Sequence, residues 1–166
     1  MIFIYNCYAG THSSSLASAV HLKKLPLDRL PTREEIIKTD YFDKLTKKDF
    51  GKIIFRGTDE EGNKVFTIGR GPSKLIIPCL VNVINVLCGD YGFKEKIIFS
   101  NMSPTVNMIM SIGGFTSRRL GLSFIGVPLL VMGAKMAHKQ IIQIVEHTKE
   151  SAKTLQDHVL VLSNKR

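Results

Sequence analysis

Cys7 and His12 stand five positions apart, with Tyr8-Ala9-Gly10-Thr11 between them and Ser13-Ser14-Ser15 directly after. A thiol becomes a nucleophile as its thiolate, and a helix N-terminus or a nearby imidazole favours that form. The imidazole of His12 offers a general acid or base, or a neutral donor to a phosphate oxygen. The surrounding residues are donors. Backbone amides from Ala9 and Gly10 through Ser13, with the hydroxyls of Thr11, Ser13 and Ser14, form the kind of set that holds an anion. The GxxxxGK[ST] order of a Walker A loop is absent, and so is its lysine. Two plainer readings stay open: a capped helix with no ligand, and Cys7 as a small core residue.

For these residues to converge, the run from Met1 to Tyr5 must be a strand ending at Asn6-Cys7, and Ser13 must open a helix. Leu16, Ala19 and Val20 give that helix an inward stripe to about Leu25, before Pro26, with Thr11 or Ser13 as its cap. Thr32 and Glu35 make a capping box for a short second helix. Lys52–Arg56 and Val65–Ile68 flank the turn residues Asp59–Asn63 and predict a hairpin. A buried helix is expected over Leu75–Cys88, with Asn82 and Asn85 on its polar side, and a strand over Lys96–Ser100. Ser103-Pro104-Thr105 predicts a helix start, and Gly113-Gly114 its end. A cationic connection over Gly114–Gly121, a short strand around Val127–Val131 and a helix from about Ala134 to Lys149 follow.

This order predicts a three-layer α/β fold with a mostly parallel central sheet, helices on both faces and one inserted β-hairpin. Residues 1–150 form one domain in this reading, and 151–166 a C-terminal extension, either helical or a late edge strand. Ligands of such sheets lie beyond the carboxyl ends of the strands, which is where Cys7 to His12 would be.

The chain has 166 residues and a formal net charge of +9, favouring an acidic partner. Nine of its fourteen carboxylates fall between Asp28 and Glu61, and none lies in 1–27, 62–89 or 96–145. Acid-poor segments suit a phosphate site, and equally a core. Arg118 and Arg119 follow the Gly-Gly pair and are candidates to bring a planar cationic fork to the first loop; two solvated arginines are the alternative. Cys7, Cys79 and Cys88 show no metal-ligand spacing, nor do His138, His147 and His158, so no metal site is expected. Asp59-Glu60-Glu61 reads as a hairpin tip before a Mg²⁺ site, and His21 as structural. No leader is evident, and the apolar stretch from Leu122 to Ala134 is too short to span a bilayer, so a cytoplasmic location is expected. Nucleic-acid binding ranks last, with no Trp and no basic helix face. Nothing in the sequence identifies a cofactor or an oligomeric state.

The opening loop is loosely similar to the cysteine phosphatase loop, in which a thiolate at a strand end attacks phosphorus. Cys7 matches that pattern, but Ser13 stands where that family has its essential arginine. Taken together, Ile4-Tyr5-Asn6-Cys7-Tyr8-Ala9-Gly10-Thr11-His12-Ser13-Ser14, Leu30-Pro31-Thr32-Arg33-Glu34-Glu35-Ile36 and Gly113-Gly114-Phe115-Thr116-Ser117-Arg118 resemble an uncharacterised bacterial family of small cytoplasmic proteins from spore-forming lineages. The resemblance spans nearly the whole chain and implies that the opening loop and the Gly-Gly…Ser-Arg segment belong to its pattern. It implies no activity. Ala9 stands where a second glycine is expected. The sequence thus points to a small phosphate-containing or other anionic ligand at the loop, with phosphoryl transfer or hydrolysis through Cys7 or His12 if the protein is an enzyme. A non-catalytic ligand sensor is the rival reading.

Overall fold

Ile2–Cys7 forms β1, and an almost wholly buried strand of this kind belongs in the middle of a sheet covered on both faces. In the computed structural model, which describes residues 1–164, β1 pairs in parallel with β3 (Lys64–Gly69) and with β4 (Ile97–Asn101). The last two positions of the predicted 151–166 extension, Lys165 and Arg166, lie outside the described residues. β2 (Ile53–Thr58) runs antiparallel to β3, and β5 (Val159–Leu162) parallel to β4, giving the order β2-β3-β1-β4-β5. The hairpin is the predicted one. Asp59 accepts from the amides of Glu61 and Asn63, and Gly62 takes the left-handed conformation at φ 81°.

Among the described residues, five α-helices complete the layers: α1 (Ser13–His21), α2 (Arg33–Lys38), α3 (Ile76–Tyr91), α4 (Met108–Arg118) and α5 (Ser123–Lys153). Residues of α1, α2, α4 and α5 share one core with Tyr5, Val65 and Ile98 of the sheet, including Leu16, Ile36, Met110, Leu130 and Ile141. On the other face α3 supplies Ile84 against Ile4, Ile68 and Phe99. The mostly parallel three-layer α/β fold expected from the sequence is the fold observed. The connection from β1 goes towards β3, and that from β4 goes towards β5. β1 and β4 are therefore the strands between which the winding direction switches, and a crevice opens beyond their carboxyl ends in such folds.

Several expectations need correction. Val127–Val131 is no strand but part of α5, which carries Pro128 inside it. Its apolar residues serve helix packing against α4. A Cβ on Gly126 would lie 2.5 Å from the Ser117 amide, and one on Gly133 2.7 Å from that of Met110. Gly113-Gly114 does not end a helix either, because α4 continues to Arg118. These glycines are there for close approach: a Cβ on Gly113 would meet the Leu130 amide at 2.7 Å. Ser103–Thr105 makes only a 3-10 turn, and α4 begins at Met108, where the Asn107 side chain accepts from the Met110 amide at 2.8 Å. The first helix stops at His21, short of Leu25, and Lys23 is left-handed at φ 54°. Pro78 is accommodated in the first turn of α3, where no intrahelical donor is lost. The capping box of Thr32 and Glu35 is present in both directions, at 3.2 and 2.7 Å. The stretch after Ser151 resolves into the end of α5 and the edge strand β5. Among the described residues, no helix is long and apolar enough to cross a membrane.

Candidate functional site

Cys7 is the last residue of β1, and the chain must turn there without leaving β3. Gly10 makes the turn at φ 74°, with its Cα so near β3 that a Cβ would lie 2.7 Å from the Gly69 amide. A Cβ on Gly69 would in turn meet the Ala9 carbonyl at 2.6 Å. Two facing glycines let the loop lie on the end of β3, where the amides of Arg70 and Gly71 donate to the Cys7 and Tyr8 carbonyls. The loop then folds back over the thiol. The Gly10 amide donates to Cys7 Sγ at 3.2 Å, and Sγ shares a hydrogen bond with Ser14 Oγ at 3.2 Å. Cys7 is buried.

The N-terminus of α1 is not closed by a side chain. His12 occupies the cap position without a cap hydrogen bond, so neither Thr11 nor Ser13 caps the helix as expected. Thr11 is otherwise engaged: its hydroxyl donates to the Tyr41 carbonyl and accepts from the amides of Lys44 and Leu45. The first amide to find an intrahelical partner is that of Leu16, which donates to the His12 carbonyl. Among the described residues, no protein acceptor takes a hydrogen bond from the amides of Thr11 to Ser15. Among the described residues Ser13 Oγ is buried without a partner, whereas Ser15 and Ser18 donate to the carbonyls of Gly10 and Ser15. An orphaned buried hydroxyl costs about 1–3 kcal/mol and calls for an explanation.

The cation that the loop itself lacks comes from Arg56 of β2, a residue the sequence reading passed over as part of a hairpin. The strand register shifts between Phe55 and Gly57, and this irregularity aims Arg56 into the core. Its Nε donates to Thr67 Oγ1 at 2.7 Å and its Nη1 to the Asp40 carbonyl at 2.7 Å. Nη2 donates to Ser15 Oγ at 2.9 Å and to the Gly10 carbonyl at 3.3 Å, and the guanidinium lies 4.6 Å from the Tyr41 ring centroid. Arg56 is 5 % exposed, and among the described residues no carboxylate lies within ion-pair distance of it. Burial lowers its pKa to about 10, which leaves it charged at neutral pH. The only available hint was an arginine beside a glycine in a short strand.

Segment 41–45 and the C-terminal turn of α4 cover the loop. Tyr41 and Asp43 are both left-handed, at φ 58° and 51°, in a conformation that is strained for tyrosine. Asp43 is the hub of this cover. His12 Nε2 lies 3.0 Å from its Oδ1, Ser117 Oγ donates to its Oδ2, and Arg118 Nε approaches to 3.8 Å. Arg118 also donates to the carbonyls of Asp43 and Leu45. A carboxylate therefore does reach the loop, supplied by the acidic stretch rather than by the acid-poor ones. Gly114 leaves space for the imidazole, since a Cβ there would lie 3.0 Å from His12 Cε1.

The structure thus joins Cys7, Gly10 and Ser14 directly, and links Thr11, His12 and Arg118 through segment 41–45. Ala9 contributes its carbonyl packing on Gly69, and Ser13 is the orphan. Arg119 stands apart, 5.8 Å from the Phe115 ring centroid. Asp59 is held by His21 Nε2 at 2.9 Å and by Asn63, and His138 Nε2 bonds the Pro26 carbonyl at 2.8 Å. Shallow surface openings lie elsewhere, among them one bounded by Met1 and Gly92–Lys96 and one between α5 and β5.

No curated protein and no solved structure matches the chain. A family model described as a protein of unknown function matches residues 2–150, nearly the whole length. The Cys7 loop, its Arg56 support and the Asp43 cover all fall inside that matched range, and the chain belongs to the DUF3189 family.

Proposed function

We propose that the protein binds a small phosphate-containing or other anionic ligand at the N-terminus of α1. The observation that carries this reading is the buried, partnerless Ser13 hydroxyl beside the unbonded amides of Thr11 to Ser15. These groups are arranged as donors for a negative charge. The buried Arg56 guanidinium, whose acceptors among the described residues are all neutral, adds positive potential behind them. Entry requires the 41–45 cover to move, because Cys7, Thr11, Ser13 and Ser14 are all buried.

Cys7 and His12 are the groups that would act if the ligand reacts, Cys7 as nucleophile and His12 as proton carrier oriented by Asp43. A second reading, binding without reaction, is favoured by the engagement of the thiol with Gly10 and Ser14 and of the imidazole with Asp43. A cytoplasmic location belongs to the same proposal and rests on the free thiols of Cys7, Cys79 and Cys88.

The test is a thermal-shift series with inorganic phosphate, nucleotides and phospho-sugars against matched chloride. Stabilisation that rises with ligand concentration and is lost in Ser13→Ala supports the site. No shift with any of these anions overturns it. Cys7→Ser separates the two readings: retained binding with lost turnover marks an enzyme.

A further inference from the structure

Among the described residues, the outer side of α3 has no partner in the fold. Leu75, Cys79, Asn82, Val86 and Gly89 recur at steps of four and three, the 3.5-residue rhythm of a helix–helix seam, and all are exposed. Leu75 is 74 % exposed, and the neighbouring Val83 and Val86 are each 51 %. The inner side of the same helix carries Ile77, Leu80, Val81 and Ile84 towards the sheet. A helix with apolar residues on both of its sides is one that proteins cover on both sides. The sheet beneath continues the apolar surface. Strand register puts Phe55 opposite Phe66 on the α3 side, and Phe55 is 53 % exposed.

We propose that the occupant of this face is a second copy of the chain, with α3 packed on α3 across a two-fold axis. The charge pattern selects that partner. A two-fold contact sets the same patch of both copies together, so a cationic face repels itself. The chain carries a net charge of +9, yet no Lys or Arg occurs between Lys74 and Lys94, and Asp90 is the only ionised residue in α3. An acidic partner would find nothing here to pair with. The polar groups on the face are the amides of Asn82 and Asn85, which both donate and accept and so suit an identical neighbour. Another exposed apolar surface, running over α4 and α5 with Met108, Phe115, Leu120 and Phe124, carries Arg119 against Phe115 and so would set cationic patches against each other. The seam from Leu75 to Gly89 is about 21 Å long at 1.5 Å per residue, enough for several layers of interdigitated side chains.

Sedimentation equilibrium of the full chain tests this, with Val86→Glu, Asn82→Lys and Phe124→Glu as variants. The expected result is a two-chain mass. Val86→Glu or Asn82→Lys should weaken it about tenfold or more by placing an unpaired charge of the same sign on both sides of the contact. Both positions are exposed, so each variant should keep the far-ultraviolet spectrum of the parent, and the pair guards against one failing to fold. Phe124→Glu should leave association unchanged. A single-chain mass up to about 100 µM, well above a micromolar Kd, overturns the proposal. So does a dimer that Phe124→Glu dissociates and the α3 variants do not.

Discussion

Arg56 carries a full charge into a place where, among the described residues, neutral acceptors alone meet it, and both its cost and its use are local. Replacing it by Gln would leave Ser15, Thr67 and the Gly10 and Asp40 carbonyls short of donors. Arg56→Gln is expected to lower unfolding stability by about 3 kcal/mol or more, read from urea titration, and to abolish any stabilisation by phosphate. Asp43 acts in the opposite sense, as an internal anion that already holds His12, Ser117 and Arg118. Asp43→Asn keeps the volume and removes the charge, so phosphate binding measured by calorimetry should tighten; weaker binding would show that the carboxylate assists the ligand. At the far end of α1, His21 lies between Tyr5 and Asp59 at 2.8 and 2.9 Å. Burial lowers the His21 pKa, outweighing the opposing bond to Asp59, so below about 6.5 the unfolded chain takes the proton first and stability falls. Burial raises the Asp59 pKa, but bonds from His21, Asn63 and the Glu61 amide outweigh it and hold the value at about 2. Its contribution is therefore present above about 4 and is lost as pH falls towards 2. Thermal unfolding against pH should show both limbs, and His21→Gln should remove the upper one.

Among the elements, the α4–α5 pair shows what glycine does when it is not a breaker. Gly113 and Gly126 sit where the two helices touch, and a methyl at Gly126 would enter the Ser117 backbone. Gly126→Ala should cost about 1–3 kcal/mol despite its better helix propensity, with hydrogen exchange speeding up first in α4. This also explains which parts of the fold were legible in the sequence. The Thr32–Glu35 box, the Asp59–Asn63 turn and the strand at Ile2–Cys7 announce themselves through local chemistry, and each appears where expected. Gly113-Gly114 and the Pro128 run mislead because their roles are tertiary: they are set by a helix that approaches from elsewhere. The site divides in the same way. Its loop is contiguous and readable, while Arg56 and Asp43 reach it through a strand irregularity and two left-handed residues that no spacing rule records.

At the scale of the whole molecule, β5 protects an edge. It covers β4 from Ile97 to Ser100, whose backbone would otherwise offer open pairing to another chain. Deleting the residues after Thr154 should lower the Tm by about 5 °C or more and raise light scattering on heating. The central position of β1 has a kinetic consequence. Ile2 pairs with Lys64 and with Ile97, partners more than sixty and more than ninety positions away. β1 is made before either partner and must therefore wait, with its apolar side chains unsheltered, until two distant segments have been made. Closing such long loops slows folding, so refolding followed by stopped-flow should run on the millisecond-to-second scale typical of non-local sheets. During that wait, Ile2–Cys7 is the stretch a nascent-chain chaperone would be expected to hold.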